Sequence, residues 1–338
     1  MNIVITGGAG FLGALLARTL LQHEQLALRG ADPARIARIT LVDRAAPPED
    51  LARDPRVKGI IGDLNALLAA GAALPPDTDL VFHLAAAVSA ECEADFDLGM
   101  RSNFAATHQL LEACRALTAM RGRAPALVFA SSLAVFGGSP ELPLPAVITD
   151  TSLPTPQGSY GIQKFIGEQM VTDYTRKGFV LGRSVRLMTV SVRPGRPNGA
   201  ASGFLSGMIR EPLAGLRAPV PVPPETPVAL ASPARTIEGI VRAAEVSDAA
   251  WGSRTAVNLP ALCTTVGAMA QALAQVAGPE VAALLDWQID PAIERLVRSW
   301  PGNVRADRAA ALGLQPDTDF EAIIRAYMAQ HPQALRHA

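Results

Sequence analysis

Of the three tyrosines in this chain, Tyr160, Tyr174 and Tyr327, only Tyr160 has a lysine one helical turn onward, at Lys164. On a helix, i, i+4 spacing sets the phenol and the ammonium on one face. A free phenol ionises near pH ~10, too high for a base at neutral pH, and a neighbouring cation favours its phenolate. Lowering that value by ~3 units takes roughly 4 kcal/mol of differential interaction, within reach of a close ammonium and a second positive charge. A phenol tuned in this way can take a proton from an alcohol. The same spacing also describes an ordinary exposed pair, so the elements around it decide between the two readings.

The opening stretch MNIVITGGAGFLGALLARTL supplies that context. Residues 2–6 read as a buried strand, and Gly7, Gly8, Gly10 and Gly13 follow. From Phe11 onward, Phe11, Leu12, Leu15, Leu16 and Leu20 recur at helical spacing. Strand, glycine turn and helix together make a cradle for dinucleotide phosphates. The glycines clear side chains where backbone approaches a pyrophosphate, and the helix N-terminus offers N–H groups and about half a positive charge. Gly7, Gly10, Phe11, Leu12 and Gly13 are the candidate contacts. The positive ring of an oxidised nicotinamide would be the second charge beside Tyr160.

A second strand, 39–42, ends at Asp43. An acid there accepts hydrogen bonds from the adenosine ribose and favours NAD over NADP; the alternative is a strand-end turn former. Arg44 follows and would tolerate a 2′-phosphate, so NAD is expected as the preferred cofactor with NADP tolerated. A third strand, 57–61, leads into Asp63-Leu64, where Asp63 either reaches the adenine or caps the next helix. After a fourth strand, 80–84, Leu84, Ala85 and Ala86 leave room for the cofactor across the strand ends. His83 reads as packed inside that strand. The acidic residues Glu91, Glu93, Asp95 and Asp97 read as a solvated helix start. A fifth strand, 126–130, ends in Ser131-Ser132, a helix over 159–176 carries Tyr160 and Lys164, and a sixth strand, 184–192, ends at Arg193. This alternation predicts an α/β fold with a doubly wound parallel Rossmann sheet and right-handed crossovers. Residues 1–193, with returning segments at about 234–260, would form the NAD-binding domain, and 194–338 mainly a smaller substrate-binding lobe. Residues 194–233, rich in Pro and Gly, are expected to be mostly irregular.

Gly7-x-x-Gly10-x-x-Gly13, Asp43, Asp63, HLAA at 83–86, Asn103, Ser132 and Tyr160-x-x-x-Lys164 together resemble the extended short-chain dehydrogenases/reductases of the epimerase/dehydratase-like group. The resemblance spans essentially the whole chain. It implies that Tyr160 exchanges the proton, that Lys164 binds the nicotinamide ribose and tunes Tyr160, and that Ser132 hydrogen-bonds the reacting oxygen. It further implies that Asn103 supports the lysine through water and that the chain forms a homodimer through its two long helices, about 97–119 and 159–176. Ser132 rather than Ser131 takes the role because it stands three residues before Val135, as in the family's Ser-x-x-Val-Tyr-Gly pattern. Two departures matter. The pattern's tyrosine is Phe136 here, and Leu133-Ala134 stand where the family's sugar-nucleotide dehydratases carry Asp-Glu. Water elimination then lacks an acid and a base, whereas alcohol oxidation needs only the Ser–Tyr–Lys set. SVRPGRPNGAASGF, NLPALCTTVGAM and WPGNVRADRAAALGL resemble a group within that family that oxidises a four-carbon sugar acid, D-erythronate, at carbon 2 with NAD. A sugar-acid substrate needs a cation for its carboxylate; Arg193 is the first candidate and Arg235 the second, since a guanidinium binds carboxylate in a fork. Ser89, Asn198 and Ser202 are candidates for the substrate hydroxyls. A nucleotide-sugar epimerase with tightly bound NAD is the alternative reading.

Composition sets the outer bounds. The 338 residues are 49% hydrophobic and 18% charged, with a net charge of −1. That describes a globular protein with a sizeable core and no dense basic run, which argues against nucleic acid or an anionic membrane as partner. Three scattered cysteines and no HExxH-like pattern give neither a disulfide framework nor a metal site. Met1 leads straight into the first strand and no apolar run approaches ~18 residues, so a cytoplasmic protein without signal peptide or membrane span is expected.

Overall fold

The computed structural model describes residues 1–195 and 201–335. The chain divides into two compact units, each assembled from separate stretches. Met1–Ser132, Ser159–Arg186 and Ile237–Val257 make the first; Leu133–Gly158, Leu187–Thr236 and Asn258–Ala338 make the second. In chain order the strands are β1 (Asn2–Thr6), β2 (Gln25–Leu26), β3 (Ala34–Arg35), β4 (Arg38–Asp43), β5 (Val57–Ile61), β6 (Leu80–His83), β7 (Ala126–Ser132) and β8 (Leu181–Leu187). There follow β9 (Thr189–Val190), β10 (Ala218–Val220), β11 (Pro227–Ala231), β12 (Val257–Asn258), β13 (Leu262–Thr265) and β14 (Leu285–Trp287).

The first unit carries a seven-stranded sheet in the order β12-β8-β7-β6-β1-β4-β5. β1 pairs parallel with β4 on one side and β6 on the other, and the ladder continues parallel to β5 and β7. The strand order therefore reverses at β1, the switch point at which doubly wound sheets open a crevice beyond their carboxyl ends. Strands covered on both faces need unbroken apolar runs. Ile3, Val4 and Ile5 are buried, and so is every residue of β6. Val4, Val42, Val81, Leu111, Phe129 and Val171 pack into one core between sheet and helices.

Between β1 and the helix Phe11–His23 the chain turns through Gly7, whose φ of +70° strongly favours glycine. Gly13 matters for a different reason. A Cβ there would stand 2.1 Å from the Gly7 carbonyl oxygen, so the helix lies against its own entry turn with no room for a methyl group.

In the second unit β11 runs antiparallel to β13 and parallel to β9, and β10 pairs parallel with β14. Leu205, Met208, Ile209, Met269, Leu273 and Ile324 pack into a core of its own. Thr265 and Asp319 cap the helices Val266–Ala277 and Phe320–Gln330 by accepting from the N–H groups of Ala268 and Ala322. Two sequence expectations are corrected here. The described residues of 194–233 hold more regular structure than expected: the helix Phe204–Leu213, whose apolar residues Leu205, Met208, Ile209 and Leu213 face the core, followed by β10 and β11. Pro212 lies inside the helix, where it gives up one hydrogen bond of the last turn, and Pro227 takes the first position of β11, which strands accommodate. The strand expected over 184–192 is two strands, β8 in the large sheet and β9 in the small one, with no Gly or Pro between them to signal the break.

Gly13→Val should lower the melting temperature and abolish detectable NAD binding, because the clash is with backbone that cannot move aside; overpacking of this kind costs about 1–3 kcal/mol. Calorimetry and NAD titration of the purified variant check both effects.

Candidate active site

The helix Ser159–Arg176 begins with its first N–H donated to the Glu93 carboxylate at 2.6 Å. Tyr160 lies half-buried in its first turn, and one turn on Lys164 is buried, at 3% exposure. The Lys164 ammonium donates to the Ala130 carbonyl of β7 at 2.9 Å and lies 4.9 Å from the Phe129 ring centroid and 5.8 Å from that of Tyr160. Burial pulls the lysine down to about 8, with the Cys92 thiol group and the Glu168 carboxylate opposing the shift. The helix comes this close to β7 because Gly167 faces the Phe129 ring, where a Cβ would meet Cζ at 2.6 Å.

At the end of β7 the two serines part company. Ser131 is buried, and its hydroxyl donates to Glu168, which sits one turn beyond Lys164. Glu168 is gripped by Arg186 of β8 in a fork, Nε to Oε1 at 2.8 Å and Nη2 to Oε2 at 2.7 Å. Ser132, half-buried, is the last residue of β7.

Asn103 is buried within a π-helical turn, Met100–Ala105, ahead of the helix Ala106–Arg121. Its side chain accepts from the Ala87 N–H at 2.9 Å and donates to the Ala87 carbonyl at 3.2 Å and to Gln163 Oε1 at 2.8 Å. It thus ties the loop after β6 to the helix carrying Lys164. His83 is buried between the hydroxyls of Thr6 and Thr107, at 2.6 and 3.0 Å. Burial, and then the Lys164 charge, push it down to about 3, so it stays neutral. The acidic run after β6 caps helices. Glu91 takes the Val88 N–H, Glu93 the start of the tyrosine helix, and Asp95 the Leu98 N–H.

The opening turn fits a dinucleotide phosphate. The helix Phe11–His23 starts at Gly10 with no side-chain cap and no acid in its first turn, leaving N–H groups at Phe11, Leu12 and Gly13 for an anion. A Cβ on Gly10 would meet nothing but the Gly7 carbonyl oxygen, at 3.2 Å, so that side of the turn is open. Asp43, at the end of β4, accepts from the Ala9 N–H at 3.0 Å and from the Ala45 N–H at 3.1 Å, pinning the turn to the strand beside it. Arg44 next to it is exposed. Asp63 caps the helix Leu64–Ala69 through the Ala66 N–H at 3.2 Å, with Leu64 as the first helical residue. Leu84, Ala85 and Ala86 lie half-buried just past β6.

Of the substrate candidates, Ser89 starts the helix Ser89–Ala94 in the first unit. In the second unit, Arg193 donates its N–H to the Ser206 hydroxyl at 3.0 Å, and its carbonyl accepts from Arg210 at 2.9 Å. Ser202 lies in the turn Ala201–Gly203, and Arg235, on the helix Pro233–Glu245, donates its N–H to Ser232 Oγ at 3.2 Å. Asn198 lies outside the described residues. Among the described residues no cluster of His, Cys, Asp and Glu could hold a metal, and no helix is long and apolar enough to cross a membrane. Sequence reading passed over Glu168, Arg186 and Gln163. Glu168 was within reach as the next position along the face that bears Tyr160 and Lys164.

Known proteins of similar sequence and shape accord with this geometry. Over 97% of its length the chain is 49% identical to a D-erythronate dehydrogenase of Cupriavidus necator, covering 98% of that protein. It is 38% identical to a D-erythronate dehydrogenase of Haemophilus influenzae, with 97% and 99% of the two chains covered. A crystal structure described as a nucleoside-diphosphate-sugar epimerase from Agrobacterium tumefaciens superposes with a TM-score of 0.87 at 36% identity, covering 99% of this chain and 95% of the other. Residues 3–227 match the NAD dependent epimerase/dehydratase family, and the chain belongs to it.

Proposed function

We propose that this NAD-dependent dehydrogenase oxidises the hydroxyl at carbon 2 of a small sugar acid, D-erythronate, to the 2-oxo acid, with Ser132, Tyr160 and Lys164 as its working set. The observation that carries the reading is a buried ammonium beneath the one tyrosine at helical spacing from it, on the helix laced to the end of β7. The similarity to two D-erythronate dehydrogenases over nearly the whole chain points to the substrate. Bound NAD supplies the hydride acceptor. Gly7, Gly10, Phe11, Leu12 and Gly13 would hold its pyrophosphate, Asp43 its adenosine ribose with Arg44 beside it, Asp63 and Leu64 its adenine, and Leu84, Ala85 and Ala86 the span across the strand ends.

Tyr160 takes the hydroxyl proton as the hydride leaves carbon 2, so that C–H and O–H bonds break and a carbonyl forms. Ser132 donates to the reacting oxygen and fixes its place; Ser131 is committed to Glu168 and is the poorer candidate. Lys164 steadies the phenolate and would hold the nicotinamide ribose, while Asn103 keeps the helix and the loop at Ala87 in register. Arg193, then Arg235, are assigned to the substrate carboxylate, with Ser89, Asn198 and Ser202 for its hydroxyls. Leu133 and Ala134 offer no acid or base for elimination. We assign the enzyme to the cytoplasm as a homodimer; Phe96, Met120 and Ile162, exposed on or beside the two long helices, suit that interface.

Three outcomes test the proposal. Wild-type protein should reduce NAD when given D-erythronate, and Tyr160→Phe should cut kcat by roughly 10²–10⁴-fold while NAD binding is retained. Turnover of a nucleotide sugar without net NAD reduction would replace this reading with the epimerase one. Lys164 is charged below about 8 and neutral above, so kcat/KM should fall as pH rises past that value. A rate still climbing toward pH ~10 would remove the ammonium from the mechanism. Asp43→Asn should narrow the preference for NAD over NADP by roughly tenfold, the worth of one charge-assisted hydrogen bond, read as the ratio of the two kcat/KM values.

A further inference from the structure

Glu168 and Arg186 form a buried ion pair, with side chains 2% and 7% exposed. Such a pair is a poor device for stability alone, since removing two charges from water costs several kcal/mol per ion and apolar packing of the same volume usually does as well. Its location suggests another use. Tyr160, Lys164 and Glu168 follow one another at single-turn intervals along one helix face. Two consecutive residues of β7 meet that face: Ala130 accepts from Lys164 and Ser131 donates to Glu168, and the next residue, Ser132, is the candidate for the reacting oxygen. Arg186 arrives from β8, the neighbouring strand, and donates to both carboxylate oxygens.

We propose that Glu168 is a positioning residue: clamped by Arg186, it anchors Ser131 and with it the end of β7 that bears Ser132, and it stands one turn from Lys164 as the counter-charge under the Tyr160–Lys164 pair. This rests on the reading of Tyr160 and Lys164 given above. The ionisable groups facing Lys164 are few. Tyr160 and Glu168 share its helix, His83 on β6 is neutral, and Cys92 on the helix Ser89–Ala94 is held protonated by burial. Among the described residues Glu168 is thus the carboxylate of this set, and Arg186 the cation that offsets it. Removing the anion makes the surroundings more positive and favours every deprotonated form; removing the cation does the reverse.

The test uses full-length protein and two readouts: the pH profile of kcat/KM, and the near-ultraviolet phenolate absorbance of Tyr160, taken as the difference from Tyr160→Phe. Tyr174, pushed up to about 12 by burial and by Glu112, does not interfere. Glu168→Gln keeps an acceptor for Ser131 and should slide both limbs of the profile, and the phenolate midpoint, to lower pH by about one unit. Arg186→Met should slide them upward, and the double variant should return close to wild type. Arg186→Lys keeps the charge without the fork and should leave the midpoints in place. Lowered melting temperatures with unmoved midpoints, or slides of the same sign in both single variants, would make the pair mere packing and overturn the proposal. Should Arg186→Met fail to fold, the double variant decides: a midpoint equal to that of Glu168→Gln alone overturns it. The absorbance titration needs no turnover. An active wild type with immobile midpoints refutes the role of Glu168, whereas a wild type in which Tyr160 titrates as an ordinary phenol and no sugar acid is oxidised refutes the functional reading itself.

Discussion

Lys164 carries a positive charge into a place where almost none of the side chain meets water, and the surrounding residues answer that demand. The lost hydration is made up by a carbonyl oxygen of β7, by the faces of Phe129 and Tyr160, and by a carboxylate one turn away. Each of those partners needs its own support. Phe129 can lie close because Gly167 has no side chain to keep the helix off. Glu168 is itself buried and is held by Arg186 and Ser131. The helix starts where it does because Glu93 closes its first turn. A charge in a medium of low polarity is also poorly screened from its neighbours.

The glycine turn answers a different constraint, that of an anion approaching backbone. The first helix has no capping side chain and no acid in its first turn, so its N–H groups and its dipole are left for a ligand. Asp43 holds the turn to β4 by accepting from the Ala9 N–H.

Much of this was legible in the sequence because it follows from local rules. The strand–glycine–helix opening, the strand ends at Asp43 and Ser132, and the bounds of the helix Ser159–Arg176 all emerge from periodicity and turn chemistry. What escaped was set by packing between distant segments. Arg186 and Glu168 each look like an ordinary charged residue on a strand or a helix, and only their meeting makes them a buried pair. The widened turn at Asn103 has no sequence signal, and the side chain it carries reaches two distant segments, at Ala87 and Gln163. Residues 204–213 were hidden by the prolines and glycines around them, although Leu205, Met208, Ile209 and Leu213 already carried the spacing of a buried helix. Asp63 was open between two roles, and its cap to Ala66 accounts for its place at the helix start.

The route of the chain has a consequence for how such a protein can change. The first unit is interrupted twice, after Ser132 and after Arg186, both at or next to the carboxyl end of a central strand, and is completed only when Ile237–Val257 returns. That returning stretch supplies Asp248, which pairs with Arg29 and with the buried Arg183, and the edge strand β12. A fragment ending near residue 193 would therefore leave two arginines without the Asp248 anion and β8 as an edge strand with β7 on one side only. The excursions themselves can lengthen, shorten or be exchanged while the seven strands keep their pairing.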